Sequence, residues 1–169
     1  MTNVHQRPVE VRIERVDVLA QADFPAWVGA HLDETAPTAP EGSRHAFDVE
    51  DFVGSGARVW LARDRSGRIV GSLALSPVDD GHEELKSMRV EPTLRGQGIG
   101  GRLLDVAIAD ARARGLERIS LETGSDPFFA PAWAVYRRHG FQDCGPYGHY
   151  ADDPYSRFMS RDLRGDGPP

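Results

Sequence analysis

VEPTLRGQGIGG, residues 90–101, is the stretch that decides the fold. It leaves a strand, crosses a glycine-rich turn and opens a helix. The strand reads from Glu83 to Val90, EELKSMRV, and Glu91-Pro92-Thr93 ends it, because proline cannot donate to a ladder. From Ile99 to Arg114 the apolar residues Ile99, Leu103, Ala107 and Ala111 recur at every fourth position, as on one buried helix face. Arg112 and Arg114 suit the last turn, and Gly115 suits the position just past it. Successive N–H groups at such a turn, with the helix N-terminus, form a cradle for phosphate oxygens, and glycine lets the backbone come close. Arg95 adds a guanidinium of the kind that pairs with phosphate.

Two nucleotide-binding patterns compete for these glycines. Gly96-x-Gly98-x-x-Gly101 matches the Rossmann GxGxxG, and an acid, Glu122, follows at a strand end where a ribose-binding residue would sit. The context differs, because Glu91-Pro92-Thr93-Leu94-Arg95 separates the strand from the first glycine and too little chain follows for a doubly wound sheet. A Rossmann-type oxidoreductase is therefore a remote alternative. A P-loop needs Gly-Lys-Ser/Thr, and none is present.

Outward from this segment, Arg58 to Arg63 (RVWLAR) and Arg68 to Leu75 (RIVGSLAL) read as a hairpin around Asp64-Arg65-Ser66-Gly67. Val9 to Val16 alternates apolar and polar residues and reads as a strand. Arg118 to Glu122, Phe141 to Cys144 and Ser156 to Leu163 read as further strands. Helices are predicted over Phe24 to Leu32, capped by Asp23 with Pro25 in the first turn, over Phe47 to Val53, and over Pro131 to His139 with Gly140 as stop. Thr35 to Ser43 reads as a loop. The order implies an α/β (α+β) fold, a mixed central sheet of about six to seven strands with flanking helices. Residues 1–169 read as a single domain, with 164–169 as a flexible tail.

Composition narrows the function classes. Twenty basic and 26 acidic residues leave a net charge of −6, which counts against non-specific nucleic-acid binding. That acidity favours cationic acceptors such as polyamines or lysine-bearing proteins, but only as a property of the whole surface. No apolar run approaches the roughly 20 residues that span a bilayer, and MTNVHQRPVEVRIERV lacks the apolar core of a signal peptide. A cytoplasmic protein with no membrane partner is expected. Cys144 is the one cysteine, so an intrachain disulfide is excluded, and a buried small residue is expected there rather than a nucleophile. No HxH, HExxH or CxxC occurs, so no metal is expected, and no G-x-S-x-G elbow is present.

Arg95-x-x-Gly98-x-Gly100 resembles motif A of the GNAT N-acetyltransferase superfamily, Q/R-x-x-G-x-G/A after a strand. The run ELKSMRVEPTLRGQGIGGRLLDVAIADARARG is similar to that motif along its whole length, and AVYRRHGF, from Ala134 to Phe141, resembles motif B. The resemblance covers Arg58 to Phe141 well and both ends more loosely. It implies the GNAT acyl-CoA N-acyltransferase fold, acetyl-CoA as co-substrate, and direct transfer of acetyl to an amine on a small molecule or protein. The motifs leave that acceptor unidentified. A non-catalytic acyl-CoA-binding regulatory module keeping the same cradle is the alternative. The family often dimerises through its C-terminal strands, so a homodimer is compatible with the resemblance.

By similarity, main-chain groups around Met88 and Val90 pair with the pantetheine arm. The N–H groups of Gly96, Gln97, Gly98, Ile99, Gly100 and Gly101, with Arg95, hold the pyrophosphate; Arg102 either reaches a phosphate or is a solvated helix residue. Tyr136 matches the tyrosine that protonates the leaving thiolate, and a phenol with a pKa of about 10 is a protonated donor at neutral pH. On its residues alone, without the glycine motif, it reads as a core tyrosine on an amphipathic helix. Glu84 matches a position where some members carry a general base acting through water. Glu83 beside it leaves the register open, because alternation turns only one of the two toward a cleft. Phe129 stands where many members have an asparagine that helps hold the pantetheine arm, and Phe128 and Phe129 either shape the pocket or pack in the core. The loop from Cys144 to Pro154 either lines the acceptor side, with Tyr147, His149 and Tyr150 offering hydrogen bonds, or is a wide turn. The loop from Thr35 to Ser43 is a candidate cover for that side.

Overall fold

A computed structural model describes residues 9–165. Seven strands, β1 (Arg12–Val16), β2 (Arg58–Arg63), β3 (Ile69–Asp79), β4 (His82–Val90), β5 (Arg118–Gly124), β6 (Gln142–Cys144) and β7 (Ser156–Asp162), form one sheet in the order β1-β2-β3-β4-β5-β7-β6. Every neighbouring pair is antiparallel except β4 and β5, which are parallel. Parallel neighbours need a crossover, and α3 (Ile99–Ala113) supplies it. The other helices are α1 (Phe24–Thr35), α2 (Val49–Gly54) and α4 (Ala130–Arg138).

Strand alternation gives the sheet two apolar faces. Trp60, Ala62, Leu73, Leu85, Ile119 and Leu121 pack with Leu103, Leu104 and Ile108 of α3 and Tyr136 of α4. Val59, Leu61 and Ala74 point the other way and pack with Phe24, Trp27 and Val28 of α1 and Phe52 of α2. Trp27 Nε1 donates to Ser72 Oγ at 2.8 Å, and Ser72 Oγ donates to the Ser87 carbonyl at 3.0 Å, so α1 is tied through β3 to β4.

Two departures from regularity shape the middle of the sheet. First, β4 and β5 pair only over His82–Leu85 and Arg118–Leu121. Beyond that point β4 stays on β3 as far as Val90 and β5 stays on β7 as far as Gly124, so the two central strands splay apart. Second, Ala74 faces Lys86 but Ser72 faces Arg89, which leaves Ser87 and Met88 opposite Leu73 alone. Ser87 sits in this bulge at φ 51°, a conformation a residue with a Cβ adopts at a cost. The extra residue inverts the facing of the rest of the strand. Leu85 belongs to the α3 face, and so do Met88 and Val90, which strict alternation from Leu85 would have turned away.

Several local expectations are corrected. β3 continues to Asp79 and turns through Asp80-Gly81, where a polar loop after Leu75 was expected. Asp23 makes no side-chain cap to α1, because Arg63 takes its carboxylate at 2.7 Å. The segment expected as loop over Thr35 to Ser43 holds the end of α1 and short 3-10 turns at Ala36–Thr38 and Glu41–Ser43. Cys144 is exposed rather than buried, because β6 is an edge strand whose residues all face solvent. Of the tail expected over 164–169, Arg164 and Gly165 form a turn in which Arg164 pairs with Asp162 at 2.6 Å, and the rest lies outside the described residues, as do residues 1–8. Among the described residues no helix is long and apolar enough to cross a membrane, and no group of three or more metal-ligating side chains is present.

Candidate active site

The splay opens onto two cavities, a larger one of about 530 Å³ and a smaller one of about 140 Å³. They meet at His31, Thr35, Met88, Phe129, Ala132 and Tyr136, which line both.

The larger cavity is floored by the glycine-rich turn. Gly98 precedes α3 at φ +81°, a left-handed conformation natural to glycine. Ile99, Gly100 and Gly101 stand in the first turn, where N–H groups have no intrahelical acceptor; the Arg102 N–H is bonded to the Gly98 carbonyl at 3.1 Å. Gly100 is where α3 comes down on β4, since a Cβ there would lie 2.8 Å from Met88 Cε. Met88, Val90, Arg95, Gly96, Gly98 and Ile99 all line this cavity, as do Gly100 and Gly101; Gln97 does not. Arg102 also lines it and donates to the Val11 carbonyl at 3.0 Å.

Arg95 is not free in this cradle. Its guanidinium is ion-paired with Glu34 of α1, and Arg89 reaches the other oxygen of the same carboxylate at 3.3 Å. Burial alone would raise the Glu34 carboxyl, but Arg95 and Arg89 together hold it below the ordinary range. Arg89 also stacks on Trp27 with its guanidinium carbon 4.2 Å from the ring centre. Burial, then the Arg89 charge, pushes the neighbouring His31 down to about 4, so that ring is neutral at pH 7.

Tyr136 is 5% exposed and stands where the two cavities meet. Burial raises its phenol above the ordinary value and the Glu122 charge adds to the rise, so the hydroxyl keeps its proton across the neutral range. Phe129 lies against the end of β5, where a Cβ on Gly124 would come within 2.2 Å of its ring. It therefore walls both cavities, while Phe128 is exposed and lines only the larger one.

The two adjacent glutamates of β4 face opposite ways. Glu83 is held by Arg114 of α3 in a two-pronged pair at 2.6 and 2.7 Å. Glu84 accepts from the Tyr147 hydroxyl at 2.9 Å and the Tyr150 hydroxyl at 2.5 Å, and Lys86 Nζ lies 3.4 Å away. The C-terminal loop thus reaches this face through Tyr147 and Tyr150, and His149 stacks on Tyr150 at 4.6 Å. Glu84 lines neither cavity. The carboxylate that does line the smaller one is Glu122 of β5. Burial pushes it up to about 7, against the opposing influence of Ser156 and Lys86, so near neutral pH it both accepts and releases a proton. The expectations from sequence considered Glu122 only as a ribose-binding acid, and gave no role to Lys86, Glu34 or the Ser87 bulge. Strand position was the available signal: Glu122 lies one residue past Leu121, where the pairing of β4 and β5 stops.

The Acetyltransferase (GNAT) family model matches residues 19–141. The chain is 36% identical over 149 residues to the "Uncharacterized N-acetyltransferase YsnE" of Bacillus subtilis (strain 168), covering 88% of this chain and 98% of that one. It is 42% identical over 125 residues to the "IAA acetyltransferase" of Azospirillum brasilense, covering 73% of this chain and 80% of that one. In fold it is similar to the crystal structure of an acetyltransferase of the GNAT family from Staphylococcus aureus Mu50, with a TM-score of 0.70, 22% identity, and coverage of 92% of this chain and 100% of that one.

Proposed function

The chain belongs to the GNAT acetyltransferase family and is an N-acetyltransferase, and from that premise we propose how its cleft works. The donor is acetyl-CoA, and residues 1–169 act as one cytoplasmic N-acetyltransferase domain. The observation that carries this reading is the splay of β4 from β5 beside the glycine cradle, with Tyr136 at the junction of the two cavities. An extended arm can add to the edge of β4 left unpaired beyond Leu85, along Met88 and Val90. The N–H groups from Gly96 to Gly101 suit a pyrophosphate, and Arg95 joins them when it exchanges Glu34 for phosphate.

Acetyl-CoA supplies the activated thioester; the protein supplies position and protons. Glu122 takes a proton from the acceptor ammonium, directly or through one water, so that the amine nitrogen can bond to the carbonyl carbon. Main-chain N–H groups at the Ser87 bulge and beyond polarise the carbonyl. As the carbon–sulfur bond breaks, Tyr136 gives its proton to sulfur, and the nitrogen, now part of the new amide, gives up its second proton, which restores the phenol. Glu84 is assigned the lesser role of holding Lys86, Tyr147 and Tyr150 in place. An acyl-enzyme on Cys144 has no place in this scheme, since that thiol is exposed on the edge strand β6.

Thermal unfolding with acetyl-CoA, CoA and NADH at matched concentrations tests the donor, and thiol release across an amine panel tests transfer. A ligand at about 100 times its Kd stabilises by about 2.7 kcal/mol, a clear shift in midpoint. Acetyl-CoA should give that shift and NADH none. Binding without turnover on any amine would leave the regulatory-module alternative standing.

A further inference from the structure

The smaller cavity has two poles. Its one lining carboxylate is Glu122, on the same wall as Tyr136. Opposite in sign are Arg44, from the segment between α1 and α2, and Lys86 of β4. Arg44 donates from Nε to the Ala39 carbonyl at 2.9 Å, and among the described residues no carboxylate pairs with its guanidinium. Lys86 is nearly buried, its ammonium 3.0 Å from the Tyr150 hydroxyl and 4.5 Å from the centre of the Phe47 ring. Glu84 balances that charge from outside the cavity. The lining histidines, His31 and His45, are both shifted toward the neutral ring by burial.

An acceptor in this space thus meets one acid where its amine must go and, on the opposite wall, an exposed guanidinium that no carboxylate among the described residues pairs with directly, although Asp153 lies beside its neighbours Ser43 and His45. We infer that the acceptor is a small amine carrying its own carboxylate, an amino acid rather than a polyamine, with the amine toward Glu122 and the carboxylate toward Arg44 and Lys86. A polyamine would turn a second cation toward the Arg44 wall, where a carboxylate would instead be attracted. Volume agrees: about 140 Å³ holds about five waters at roughly 30 Å³ each, close to the size of an amino-acid backbone.

The inference rests on the proposed function and names its acceptor class. The test is thiol release from acetyl-CoA by the full chain with L-serine, L-leucine and L-phenylalanine, each beside its amide and its decarboxylated amine, and with spermidine. Each favoured acid should exceed both its partners in kcat/KM by about tenfold or more, the scale of one charge-assisted contact at a partly wet site. Arg44→Gln should collapse the acid-to-amide ratio toward one while acetyl-CoA still shifts its unfolding midpoint, and Arg44→Lys should restore part of the ratio. Amides or spermidine turned over as well as the acids would overturn this inference and leave the acetyltransferase reading intact. Acetyl-CoA bound with no amine of any kind acetylated would overturn both.

Discussion

The two sides of the splay are built from different materials. On the proposed donor side the groups are main-chain: the open edge of β4 and the N–H groups between Gly96 and Gly101, all within one continuous run. On the acceptor side they are side chains brought together from distant places, Arg44 before α2, Lys86 on β4, Glu122 on β5, Tyr136 on α4 and the tyrosines of the C-terminal loop. A main-chain site tolerates change in side chains but not in conformation or close approach. A side-chain site is the reverse, and it is where acceptors are told apart.

The largest effect should come from the residue shared by both sides. Tyr136→Phe keeps the ring in its packing and removes the proton, and kcat should fall about 10²-fold or more with the donor's binding little changed. An unchanged kcat would mean that Tyr136 is only core. Next comes a donor-side change with no charge in it. Gly100→Val would push the Met88 side-chain end aside and fill space beside the turn, and the stabilisation of about 2.7 kcal/mol given by acetyl-CoA at 100 times the wild-type Kd should shrink in the unfolding curve. Survival of that shift would remove the close approach of α3 to β4 from the account of the donor site.

On the acceptor side, Glu122→Gln should flatten the rise in kcat/KM as pH climbs through about 7, since the wild-type base works only when deprotonated. The same variant has a stability signature. Because the native carboxyl titrates near 7 and the unfolded one near 4.5, protonation supports the native state below 4.5 and that support is lost as pH rises through 7. The variant should therefore gain on wild type above pH 7, by about 2 kcal/mol, and show no such gain at pH 4. The smallest effect tests an ion pair that lies within the larger cavity. Glu34→Gln frees Arg95 from its ion pair, and the KM for acetyl-CoA should fall about threefold, an effect that shrinks with added salt. A rise in KM would show that Glu34 orients Arg95 rather than competing for it.

The same division governs how far each side was legible in sequence. The glycine turn, its helix and the flanking strands are contiguous, and glycine at Gly98 declares a left-handed position, so the strand–turn–helix that floors the larger cavity was readable in the sequence. The Ser87 bulge was not, because a serine in that conformation carries no signature, and without it the facing of Met88 and Val90 cannot be derived. Asp23 looked like a cap because it precedes a helix with proline in its first turn; only the fold brings Arg63 to it. Glu83 and Glu84 could not be ranked from alternation alone, and in the fold both are engaged by other groups, Arg114 on one face and two phenols on the other. Glu122 becomes a candidate base through burial beside Lys86, Glu84 and Tyr136, neighbours that lie far from it in the chain or across the sheet.

The bulge at Ser87 also bears on which changes in chain length this strand can survive. Substituting Ser87 alters the cost of one backbone conformation, and glycine there would relieve it. Deleting it removes the bulge and leaves Leu85, Met88 and Val90 in strict alternation on the α3 face, with Arg89 still turned away from it. Lineages descending from such a protein are therefore free to vary or even lose the residue at 87 without turning the strand over, whereas a residue gained between Lys86 and Val90 would turn Met88 and Val90 out of the α3 face, so insertions rather than deletions should be absent from that interval.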